Sequence, residues 1–124
     1  SYKPVMLLAL LDKVDEAGRA KASEVAKQFH QFYRDRKANG LIVERPGARK
    51  VQVDELDETS VQRLMLGMPF EKFERRQFLR YDRDLAFIRF DVRLWRQLGP
   101  EDREQIRELC RRKIEVYYAR FTTG

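Results

Sequence analysis

The stretch Gln77-Phe78-Leu79-Arg80-Tyr81-Asp82-Arg83-Asp84-Leu85-Ala86-Phe87-Ile88-Arg89-Phe90 decides how this chain is to be read. Elsewhere the apolar residues recur at helical spacing, but here the period changes. Phe78 and Arg80, then Leu85, Phe87 and Arg89, alternate with their neighbours on either side of a polar Asp82-Arg83-Asp84. Alternation on both sides of a short polar turn predicts a β-hairpin over residues 77–90.

The segments on the C-terminal side of the hairpin read as helices. Residues 91–98 form a short one containing Trp95. Gly99-Pro100-Glu101-Asp102 then starts a long one, with proline in the first turn and acids at the positive end of the dipole. Ile106, Leu109, Cys110, Ile114, Tyr117, Tyr118 and Phe121 make its broad apolar face.

On the N-terminal side, Val61, Leu64, Met65 and Met68 are spaced as one face of a helix that opens between Asp57 and Ser60. Gly67 and Pro69 interrupt it, and a further helical turn covers residues 70–75. Residues 41–55 lack helical spacing; Pro46-Gly47 marks a turn and Val51-Gln52-Val53 a short strand. Ser23 is the expected cap of a helix running to about Ala38, with Val25, Phe29, Phe32 and Tyr33 on one face and Asn39-Gly40 at its end. Residues 2–16 read as a helix apolar around most of its circumference, hence central to the core.

The expected fold class is therefore α+β, mainly helical: a winged-helix-like bundle with a hairpin near residues 77–90. Three helices followed by a hairpin is the order of a winged helix-turn-helix. The long excursion between the second and third helices departs from the compact version.

A chain of 124 residues, 43% hydrophobic and 37% charged, supplies both a core and a solvated surface for one domain spanning residues 1–124. Starting at Ser1 without a methionine and moving at once into an apolar helix, it reads as a segment of a larger protein. Cys110 is the lone cysteine, which excludes an internal disulfide and points to a reducing, cytoplasmic setting. The longest apolar run, residues 4–11, falls well short of the roughly 20 residues of a membrane helix, so no membrane partner is expected.

Catalytic patterns are missing. His30 is the lone histidine, so neither an HNH nuclease nor a typical zinc site can be assembled. Asp54, Glu55, Asp57 and Glu58 cluster as a cation site would, yet they lie where helix capping and dipole placement also put acids. Asp35-Arg36-Lys37 has the spacing of a restriction-type acid-x-Lys element but falls in a helix rather than on a strand. Gly67-Met68-Pro69 is no phosphate loop. We therefore expect no catalytic residues, no metal and no cofactor.

Charge carries the positive signal. The net charge is +6 and the pI about 9.7. Residues 61–96 hold nine basic against five acidic side chains, whereas residues 41–60 hold three against five. Arg63, Lys72, Arg75, Arg76, Arg80 and Arg83 are the candidate nucleic-acid contacts, with Arg80 and Arg83 at or beside the hairpin tip. Guanidinium forks suit phosphate oxygens and base edges, and Phe78 and Tyr81 could stack on bases if exposed. The interspersed acids also fit a solvated face laced with local ion pairs.

Ser1-Tyr2-Lys3-Pro4-Val5-Met6-Leu7-Leu8-Ala9-Leu10-Leu11-Asp12, and the Phe29-x-x-Phe32-Tyr33-Arg34-Asp35-Arg36 series within residues 29–40, resemble a helical accessory region of large bacterial helicase-like and restriction or phage-defence proteins. Weaker echoes are Leu94-Trp95 and Tyr117-Tyr118. The resemblance implies a DNA-handling parent with a neighbouring helicase or nuclease domain, and it transfers no catalytic residue. The expected function is a non-catalytic nucleic-acid-binding module. A protein-interaction or oligomerisation domain, using the aromatic face of the last helix, is the alternative.

Overall fold

The computed structural model describes residues 1–45 and 52–122. They are mainly helical, with one small antiparallel sheet. In chain order the elements are α1 (Tyr2–Lys13), β1 (Arg19–Lys21), α2 (Ala22–Ala38), a 3₁₀ turn (Val53–Glu55), α3 (Glu58–Gly67), α4 (Pro69–Arg75), β2 (Leu79–Asp82), β3 (Phe87–Phe90), α5 (Val92–Gln97) and α6 (Pro100–Thr122).

Helix α1 is the central element, as its nearly continuous apolar surface predicts. Val5, Met6, Ala9, Leu10 and Leu11 are buried, and the helix packs against α2, α4, α6 and β1. Helix α2 presents Val25, Phe29 and Tyr33 to it, and the rings of Tyr2, Phe29, Phe32 and Tyr33 meet edge to face. Helix α6 closes the other side with Cys110, Ile114 and Tyr118. The Tyr118 hydroxyl donates to the Val43 carbonyl at 2.8 Å, and the Arg36 guanidinium lies 3.4 Å from its ring centre. Two of the three aromatics expected on an interaction face, Tyr117 and Phe121, are thus only partly covered, while Tyr118 belongs to the core.

Several boundaries differ from expectation. Helix α1 ends at Lys13 rather than Glu16, because the Asp15 carboxylate accepts the N–H groups of Ala17 and Arg19 and folds the chain into a turn. Gly18 completes the turn at φ +78°. Strand β1 follows, which spacing alone does not reveal, and it runs directly into α2. Helix α2 therefore begins at Ala22, not after a Ser23 cap. Lys21 is its extended N-cap residue, and the Ala22 N–H donates to the Ala86 carbonyl in the hairpin loop. A tertiary hydrogen bond takes the place of a capping side chain. The expected strand at residues 51–53 is not found: Val53 opens a 3₁₀ turn, and Val51, like the Pro46-Gly47 turn, lies outside the described residues. Asp57 caps α3 through the Ser60 N–H, as anticipated for this acid cluster.

The hairpin forms where its alternation places it, but its turn comes later than Asp82-Arg83-Asp84. Residues 83–86 connect the strands, with the Asp82 side chain accepting from the Asp84 and Leu85 N–H groups. Strand β3 is the middle of the sheet, with β1 on one side and β2 on the other. Ala20, Ile88, Leu79 and Phe90 face the core, and alternation turns Arg19, Arg80 and Arg89 outward.

The sheet is anchored to α5 by Trp95. Its ring stacks on Phe90 at 5.2 Å and its indole N–H donates to the Glu16 carbonyl at 2.9 Å. The Arg103 guanidinium lies 4.7 Å from the ring centre on α6. Asp91 caps α5 by accepting from the Arg93 and Leu94 N–H groups.

Candidate nucleic-acid interface

All six cations singled out from the sequence are exposed, and they stand on different elements. Arg63 projects from α3. Its charge, with the Ser60 hydrogen bonds as the larger cause, holds the Asp57 carboxyl below its usual range. Lys72 and Arg75 project from α4, and Arg76 is its C-cap. Arg75 is engaged by Glu71 one turn away at 2.8 Å, and Lys72 lines a cleft of about 220 Å³ beside Tyr2, Glu44 and Tyr117. Arg83 stands in the hairpin loop.

Arg80 does not reach the tip. It occupies the body of β2, directly opposite Arg89, and bonds Asp91 at 3.2 Å. The hydrogen bonds that Asp91 accepts from the Leu94 N–H and from Arg80 hold its carboxyl below the usual aspartate value. Of the two aromatics offered for stacking, Phe78 is 47% exposed, whereas Tyr81 turns inward against Phe70 with ring centres 6.0 Å apart.

The sheet assembles a grouping that the sequence reading missed. Arg19 on β1 is opposite Arg89 on β3, and Arg89 is opposite Arg80 on β2. Arg89 lies in the basic stretch but was not singled out, and Arg19 lies far outside it. The one signal available was Arg19-Ala20-Lys21, a three-residue alternation too short to distinguish from a turn. Asp15 holds Arg19 through its Nε at 3.3 Å. Burial pushes the Asp15 carboxyl up, but the N–H groups of Arg19 and Ala17 and the Arg19 charge outweigh that and bring it below the ordinary value.

Among the described residues no group of histidine, cysteine and carboxylate side chains could hold a metal ion. His30 is buried and borders a cleft of about 350 Å³ between α2 and α3, with Lys27, Glu24, Glu58 and Thr59 around it. The Cys110 thiol is buried, and burial pushes its pKa up, the opposite of an activated nucleophile. No helix among the described residues is long and apolar enough to cross a membrane. The chain matches no protein-family model, no curated protein and no solved structure.

Proposed function

We propose that this chain is a non-catalytic, winged-helix-like nucleic-acid-binding module of a bacterial DNA-processing or defence protein, working beside a helicase or nuclease domain. The observation that carries the reading is the path of the chain, apart from the short added helix α4: helix, strand, helix, helix, then a hairpin whose second strand pairs with the first strand. That is the order of a winged helix-turn-helix, in which the later helix of the pair enters the major groove and the hairpin forms the wing. Exposed cations lie on the corresponding elements, Arg63 on α3 and Arg83 on the hairpin loop, with Lys72, Arg75 and Arg76 between them. Asp57 and Glu58 at the start of α3 would repel phosphate, so contact falls to the cations further along.

The test is fluorescence anisotropy with a labelled 20-base-pair duplex over a range of salt concentrations. Rising salt should weaken binding linearly in log–log form, because each phosphate contact releases counterions, and Arg63→Gln with Arg83→Gln should lower the slope. No binding at 25 mM salt refutes the reading.

A second reading, a protein-interaction or oligomerisation domain, is favoured by one observation. Leu109 and Val116, seven residues apart on α6, are 54% and 52% exposed and border a groove of about 410 Å³ with Pro4 and Tyr117. A stable dimer in sedimentation equilibrium, lost on Leu109→Glu, would support it over the first.

A further inference from the structure

Arg19, Arg89 and Arg80 form one row across all three strands, in the register that places each directly opposite the next. Neighbouring strands lie about 4.8 Å apart, so the row spans roughly 10 Å. Like charges directly opposite one another destabilise a sheet, and a fold needs no such row on a solvent face. Among the described residues, the carboxylates in ion pairs with the row stand at its ends. Asp15 meets Arg19, and Asp91 meets Arg80. The central Arg89 is exposed and has no ion pair or hydrogen bond from its side chain among the described residues.

We propose that this row is a phosphate clamp that grips the sugar–phosphate backbone of nucleic acid without reading its bases. The inference rests on the nucleic-acid reading above and adds the outer face of the sheet, β1 included, to the contacts on α3 and the hairpin loop. Guanidinium groups donate two parallel N–H bonds to phosphate oxygens. Asp15 holds Arg19 by its Nε edge, and the Arg19 guanidinium lies 5.8 Å from the centre of the Phe87 ring on the same face of the sheet. Phosphate oxygens inserted along the row supply the counter-charge that Arg89 lacks.

The experiment uses the full chain, a labelled 20-base-pair duplex and a second duplex of scrambled sequence. Arg89→Gln should lower the log–log salt slope by about 0.9, and the triple variant Arg19→Gln, Arg80→Gln, Arg89→Gln by about 2.7, equally on both duplexes. The melting temperature separates this from a structural role. Removing the central charge relieves repulsion, so Arg89→Gln should melt about 1–4 °C higher while binding more weakly. Melting that falls together with binding overturns the clamp. A slope unchanged in the triple variant also overturns it while leaving the wider reading intact, and a wild-type chain that ignores DNA at 25 mM salt overturns the reading itself. Inorganic polyphosphate serves as the second probe. Loss of polyphosphate binding in the triple variant with DNA binding retained would overturn nucleic acid as the ligand.

Discussion

Replacing Gly18 by alanine should be among the most damaging single-methyl changes the fold can receive. Two independent costs meet there. At φ +78° an L-residue is strained by about 1–2 kcal/mol. The new Cβ would also lie 2.6, 2.8 and 2.9 Å from the Cδ2, Cγ and Cε2 atoms of Trp95, roughly 1 Å inside ordinary contact. The ring must move, and it is held on several sides. The indole bond to the Glu16 carbonyl contributes about 0.5–1.5 kcal/mol, the stack on Phe90 about 0.5–1.5 kcal/mol, and the Arg103 contact about 0.5–1 kcal/mol. Alanine returns about 0.4–1 kcal/mol by restricting the unfolded chain. The net expectation is a loss of about 2–5 kcal/mol, a large share of the roughly 5–15 kcal/mol typical of a domain. Urea denaturation followed by circular dichroism measures it, in wild type and in Trp95→Ala. Once the ring is gone, Gly18→Ala should cost only the backbone strain, about 1 kcal/mol. Equal losses in the two backgrounds, within about 0.5 kcal/mol, would refute the contact.

Two other outcomes follow from local geometry. Ala86 sits at φ +55° in the hairpin loop while its carbonyl accepts the first N–H of α2; Ala86→Gly should remove strain of about 1–2 kcal/mol, offset partly by added chain entropy, and raise the urea midpoint. Asp15, Asp57 and Asp91 all have carboxyl pKa values depressed in the folded state. Their stabilising contribution is complete above the unfolded aspartate value near 3.8 and is lost as pH falls through the lower folded values. Urea midpoints should therefore drop steeply below about pH 4, and substituting all three by asparagine should flatten that fall.

The helices and the hairpin were legible because each is long enough for its period to repeat. Phe29 and Tyr33 mark a helical face without ambiguity, and Phe87 and Arg89 a strand. Strand β1 was not legible, since Arg19-Ala20-Lys21 offers one alternation and owes its conformation to pairing with β3. The start of α2 was misplaced for a related reason. Ser23 is the right chemistry for a cap, but the first N–H finds the Ala86 carbonyl, and a partner so distant in the chain leaves no local trace. The candidate site shared this fate. Arg63, Lys72, Arg75, Arg76, Arg80 and Arg83 stand out by their density in one stretch, whereas register sets Arg80 beside Arg89, and Arg89 beside Arg19. Composition reports how many arginines a chain carries, and pairing decides which of them meet.

Strand β1 also ties the arginine row to the history of folding. Ala20 pairs with Ile88, so most of the chain must be made and brought round before β1 can dock, while β2 and β3 close locally. Contacts of such long range form slowly and reward the chain only after loop closure. A growing polypeptide would thus present a hairpin with two of the three guanidinium groups and complete the set last. By mass action, a polyanion lying across all three strands would favour the closed form over one with β1 detached. Amide exchange at Ala20 and at Ala22, whose N–H donates to the Ala86 carbonyl, would report that linkage directly.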